Sequence, residues 1–249
     1  MSIFEKIFGK SKKEVAKPET DKAAFSLHKK PDFQSFNDLL NQHAGLSFEK
    51  QQNFSELTKG LAWNINIGRG ILSFGNIDFP IAVIGSMSFT DYSWMWGWAN
   101  EKSGIPKKLL GNTLKLKEIG EQKQIEEFTD GHFKAGEGFE HKMGLIASGL
   151  LGADAYFCAN YDQGTMLVSL STNRIPKINN NSVKQVLATF PKLIKGIDLN
   201  HEQAFKNYLI DRSIKFNMQG NKIEGRKNGK VITAEFDDLN RLTSLNGKL

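Results

Sequence analysis

Between residues 61 and 99 the apolar side chains recur at every second position. Trp63, Ile65 and Ile67 alternate with Asn64 and Asn66, and Trp94, Trp96 and Trp98 alternate with Met95 and Gly97. Period two sends successive side chains to opposite faces of an extended strand, so this stretch can cover a sheet but cannot form the stripe of a helix. Gly68-Arg69-Gly70 supplies a turn, residues 71–74 read as a second strand, Pro80 opens a third apolar stretch to Phe89, and residues 92–98 make a fourth. The expectation is an antiparallel meander.

Helical spacing holds on either side of it. Phe33, Phe36, Leu39, Leu40, Leu46, Phe48, Phe54 and Leu57 predict two short helices, or one interrupted near Gly45. Further helices are predicted over 105–120 and 137–151, the second stopped by Gly152. Residues 153–160 and 165–171 read as a hairpin turning at Asp162-Gln163-Gly164. Ser182 with Gln185 predicts a capped helix that Pro191 should kink or split, and Asn200 with Gln203 caps the next. Strands follow over 214–218 and 231–236, with a tight turn at Asn228-Gly229. Elements therefore come in blocks rather than in βαβ alternation. The predicted class is α+β, an antiparallel sheet with helices packed on one face, plus a C-terminal helical and small-sheet subdomain. The expected division is an arm over 1–24, a core over 25–173 and a subdomain over 182–249 that either stands apart or continues the core.

Charge is unevenly spread. Residues 1–31 carry eight lysines against four acids, so most of the net charge of +6 sits on the arm, not on the folded part. A nucleic-acid reader gathers its cations on a folded face, so nucleic acid is a disfavoured partner. Ile3, Phe4, Ile7 and Phe8 fall on one side of a short helix in that arm, which reads either as a frayed terminus or as a weak peripheral membrane or docking peptide. No window reaches the roughly 18 consecutive apolar residues of a membrane span. The first residues lack an apolar signal segment, and one cysteine, Cys158, forms no internal disulfide, so a cytoplasmic address is expected.

Motifs that carry chemistry are sparse. Gly68-Arg69-Gly70 and Gly136-Glu137-Gly138 lack phosphate-loop spacing, and His28, His43, His132, His141 and His201 form no HxH or HExxH pair, so neither cofactor nor metal is expected. Cys158 lies within Tyr-Phe-Cys-Ala, where a buried thiol is the ordinary occupant. The tryptophan run remains. Either its indoles are the inward stripe of a sheet, or they form an aromatic platform for a ligand or partner. We expect Trp96 inside, with Trp94 or Trp98 reaching a cleft beside Asn100. The candidate binding set is Trp63, Trp94, Trp98 and Asn100 with Asp91 and Glu101.

Gly85-Ser86, the run Trp94-Met95-Trp96-Gly97-Trp98-Ala99-Asn100, the helix end Glu118-Ile119-Gly120 and Leu150-Leu151-Gly152-Ala153 resemble a bacterial family of unknown function, DUF6882, over residues 60–171. The resemblance implies a bacterial, cytoplasmic, stand-alone protein and carries no catalytic residues. The leading expectation is a non-enzymatic binding protein whose partner is another protein, in its most concrete form an immunity protein covering the active site of a cognate toxin. One alternative is an enzyme with a pocket beside the tryptophan run, using Asp91, Glu101 or His132 as acid/base groups. The other is a binder of single-stranded nucleic acid.

Overall fold

A computed structural model describes residues 24–248. The arm expected over 1–24, with Ile3, Phe4, Ile7 and Phe8, falls outside the described residues except for Ala24.

One long helix organises the molecule. α1 (Phe36–Thr58) runs 23 residues, opened by Ser35, whose hydroxyl accepts from the Asp38 N–H. The predicted break at Gly45 does not occur. Gly45 lies inside the helix because the Tyr208 side chain presses against it and leaves no room for a Cβ. Glycine here serves close packing, and tertiary contact outweighs its poor helix propensity.

The meander over 61–99 is present as β1 (Trp63–Asn66), β2 (Ile71–Phe74), β3 (Ile77–Ser88) and β4 (Ser93–Trp96), paired antiparallel in that order. β5 (His132–Lys134) extends the sheet beyond β4. The hairpin β6 (Ala155–Tyr161) and β7 (Gly164–Leu170) joins it through β7 on β3. Between Val83 and Gly85 the β3–β7 register skips Ile84, a bulge. Ile84 is buried, and its carbonyl accepts from Gly97 N–H and from the Thr113 hydroxyl. Thr113 belongs to α2 (Gly111–Lys123), so the bulge fixes that helix against the sheet.

α3 (Glu126–Thr129) precedes β5, and α4 (Phe139–Leu150) packs on β3, β6 and β7. α5 (Val183–Gly196) and α6 (His201–Asp211) follow, capped by Ser182 and Asn200 as their sequences predict. α5 continues through Pro191, against the expected split. Pro191 is exposed, on a side where carbonyls can turn to water. The chain ends in a second antiparallel sheet of β8 (Lys215–Gln219), β9 (Lys222–Lys227), β10 (Lys230–Phe236) and β11 (Leu242–Lys248). Asn228 and Gly229 turn the β9–β10 hairpin with φ of 51° and 75°, the left-handed pair that a two-residue turn requires.

α1 packs on α4 along one side and on α6 and α5 along another. A single apolar cluster therefore runs from Trp94, Trp96 and Phe128 through Leu39, Leu40 and Met143 to Phe190, Phe205 and Phe236. A second cluster gathers Phe54, Phe74, Phe79, Val83 and Val168. There Phe157 of β6 meets Trp63 of β1 and Phe74 of β2, each at 5.2 Å between ring centres.

Candidate functional site

The tryptophan run is a wall of the core. Trp94 and Trp96 are fully buried and stand edge to face at 5.6 Å, Trp94 against Phe139 and Trp96 against Phe128. Trp96 donates its indole N–H to the Glu127 carbonyl at 2.9 Å. Gly85, opposite Trp96 in the register, leaves no room for a Cβ beside the Trp94 ring. Trp96 thus lies where expected, whereas Trp94 does not reach a surface. Trp98 falls in the turn after β4, half-buried, with the Lys117 ammonium 4.4 Å over its ring.

The polar members of the set are spent on turns. Asp91 accepts from the N–H and hydroxyl of Ser93, and its carboxyl is held below the usual range by hydrogen bonds from Ser88 and Ser93. Asn100 caps the short turn Glu101–Ser103 by accepting from the Ser103 N–H. Glu101 is exposed there. Trp63 is 40% exposed on β1, far along the sheet order from β4 and stacked edge-on against Phe157.

A different group of residues converges. Phe48, Gln51 and Ser55 of α1, Glu140, His141 and Leu145 of α4, and Tyr156, Phe157, Cys158 and Asn160 of β6 line a cleft of about 480 Å3. Phe89 and the Gly196-Ile197 end of α5 close its sides. His141 Nδ1 lies 3.3 Å from the Tyr156 hydroxyl and 3.9 Å from Cys158 Sγ. Its Nε2 lies 3.9 Å from Glu140 Oε1. Glu140 is buried, only 7% exposed, and its Oε2 has no hydrogen-bond partner among the described residues.

Packing makes this cleft. Gly144 on α4 accepts the Tyr156 ring where a Cβ would collide, drawing α4 down onto β6. α4 thereby brings Glu140 and His141 beside Cys158. Burial, then the Glu140 charge, push the Cys158 thiol up to about 12, and burial, then Cys158 and Glu140, raise the Tyr156 phenol far above its ordinary value. Both groups are neutral at pH 7, so they offer hydrogen bonds rather than an activated nucleophile.

β6 pairs only with β7 among the described strands. Tyr161 faces Gly164 across a two-residue turn, and antiparallel alternation then turns the backbone groups of Tyr156, Cys158 and Asn160 away from β7. The Tyr156 N–H confirms that direction, donating outward to the Gln51 side chain of α1. The N–H and C=O groups of Cys158 and Asn160 thus face the cleft side. The described residues contain no group of three or more His, Cys, Asp or Glu arranged to hold a metal ion.

The sequence reading makes Cys158 a buried thiol and finds no metal-type pairing for His141; the structure brings the two side by side at the cleft. The available signal was Glu140 in the apolar run of α4 together with Cys158 and Asn160 on one face of β6; neither half identifies a cleft without the other.

The fold is thus that of an α+β protein whose central helix α1 packs on α4 and β6 along one side and on α5 and α6 along another, with a cleft of aromatic walls and a few polar groups at a sheet edge. The profile of a family of unknown function, DUF6882, matches residues 37–172, more than half of the chain, and the chain belongs to that family. The match begins in α1, before the stretch that carries the tryptophan resemblance. No curated protein matches the chain, and no solved structure does. No described helix is long and apolar enough to cross a membrane.

Proposed function

We propose that this chain is a binding protein that recognises another protein through the cleft between α1, α4 and β6. The observation that carries the reading is the cleft's composition: unspent backbone groups on β6 and an unpartnered Glu140 oxygen among aromatic walls. Such surroundings suit recognition, with apolar area for affinity and a few polar groups for orientation. The protonated thiol weighs against covalent catalysis there. The buried positions of Trp94 and Trp96 remove the support for a catalytic pocket or base-stacking platform at the tryptophan run.

The test is stoichiometric co-purification from the native source. Full-length chain should retain one partner at a fixed ratio, and Ser55→Trp, which places an indole over the cleft from an exposed α1 position, should release it without lowering the melting temperature. Repeated isolation without any stoichiometric partner would sink the reading. In its most specific form the partner is a bacterial toxin whose active site this chain occludes in the cytoplasm. A toxin reading frame beside this gene, with growth arrest relieved by co-expression, is the expected finding; co-expression that leaves the arrest unchanged removes the immunity version.

Cys158 supplies a further check. A thiol raised from 9 to about 12 has roughly a thousandfold less thiolate at neutral pH, so alkylation by iodoacetamide should be slow and keep accelerating with pH beyond 9. Glu140→Gln removes one of the two causes and should speed it. A plateau near pH 9 would show an ordinary exposed thiol.

A further inference from the structure

The occupant of the cleft can be specified from its charge and its edge, given the binding reading above. Among the residues lining it, Glu140 is acidic, His141 is the sole group able to become cationic, and neither lysine nor arginine is present. The C-terminal end of α5, a 14-residue helix, closes one side at Gly196-Ile197, where Lys195 in the same turn offsets the partial negative charge of the last carbonyls, so the sign of the cleft is set by Glu140. An anion would meet repulsion here, whereas a cation entering beside His141 would approach the Glu140 carboxylate, whose unpartnered oxygen lies just beneath the cleft surface. Phe48 and Phe157, both half-buried, offer apolar surface for the alkyl stem of such a cation. Beside them β6 turns two residues' worth of backbone donors and acceptors outward, the template for one added strand.

We infer that the cleft receives an extended segment of the partner protein as a strand on the outer edge of β6, and that this segment places a lysine or arginine side chain against Glu140. Main-chain bonds to Cys158 and Asn160 supply affinity without regard to sequence, and the buried carboxylate supplies the choice of side chain. Tyr156 sets the end of the template, because Gln51 already occupies its N–H.

The experiment uses full-length protein and the blocked pentapeptide Val-Lys-Val-Lys-Val, followed by amide chemical shifts. The peptide should shift the amides of residues 156–160 and saturate. Val-Glu-Val-Glu-Val should bind at least tenfold more weakly, as should a lysine peptide N-methylated at its valines. Glu140→Gln should weaken the lysine peptide at least fivefold. Asn160→Pro, which deletes an outward N–H and leaves the β6–β7 ladder intact, should weaken it similarly. Equal binding of the two peptides, or an unchanged affinity in Glu140→Gln, overturns the cationic side chain. Equal binding of the N-methylated peptide or of n-butylammonium overturns the added strand and makes the cleft a site for a free organic cation. Absence of shifts at 156–160 with every peptide overturns the inference as a whole, while the co-purification with Ser55→Trp tests the binding reading separately.

Discussion

Trp96 shows how a single side chain can be settled by its surroundings. Its ring is fully buried between Trp94 and Phe128, and its N–H is satisfied by Glu127. Trp96→Ala should therefore cost about 3–5 kcal/mol in urea unfolding, as large aromatic truncations do, whereas half-buried Trp98→Ala should cost no more than about 2 kcal/mol. An unchanged melting temperature for Trp96→Ala would refute its place in the core. His43 makes a different prediction. It packs against Gly149 of α4, and burial first, then Lys30 and Lys50, push its imidazole down to about 3 from 6.5. The folded state then binds the proton less readily than the unfolded chain. Its contribution is complete above pH 6.5 and is lost as pH falls toward 3, by up to about 1.4 kcal/mol per unit. Wild type should lose about 2 kcal/mol from this source between pH 6.5 and 5, and His43→Gln should flatten that slope; an equal slope in both proteins would assign the acid limb to other groups.

At the scale of elements, one buried ion pair joins three parts of the chain. Arg212, at the end of α6, is fully buried and donates to Glu49 of α1 at 3.0 Å and to the carbonyls of Asn179 and Ser182 before α5. Tyr208 donates to the other Glu49 oxygen at 2.6 Å. Removing one partner strands a buried charge, so Arg212→Leu should cost about 3–5 kcal/mol, while Arg212→Leu with Glu49→Leu should recover much of that loss. A double variant no more stable than the single would mean that the carbonyl contacts of Arg212, not the ion pair, hold the junction. Elements were legible in the sequence where one face repeats clearly. Trp63–Asn66 alternates and was found; β9 (Lys-Ile-Glu-Gly-Arg-Lys) has one apolar residue, and β11 mixes half-buried and exposed positions without alternation, so both strands exist through pairing that local pattern does not announce. The cleft escaped for a similar reason. Cys158 and His141 are 17 residues apart, and only the descent of α4 onto Tyr156 makes them neighbours.

For the whole molecule the question is whether the family-matched stretch, 37–172, is a unit in itself. It carries both layers of the larger sheet's core, yet it leaves α1 half covered. Without α5 and α6, Leu39, Leu40 and Ala44 lose Phe190, Phe205 and Tyr208 from their cluster, and Glu49 loses both Tyr208 and Arg212. Exposing that apolar side of α1 and a desolvated carboxylate together should cost more than a domain's usual margin of about 5–15 kcal/mol can absorb. A fragment of residues 24–172 should therefore be aggregated or molten. The intact chain should unfold in one step, and the sequence provides the means to see it. All four tryptophans lie between residues 63 and 98, so fluorescence follows only the larger sheet, while far-ultraviolet dichroism follows both sheets and every helix. In urea the two signals should give coincident curves with one midpoint. If fluorescence kept its native value while dichroism fell, the C-terminal helices and small sheet would be a separate folding unit, and α1 would hold its shape without them.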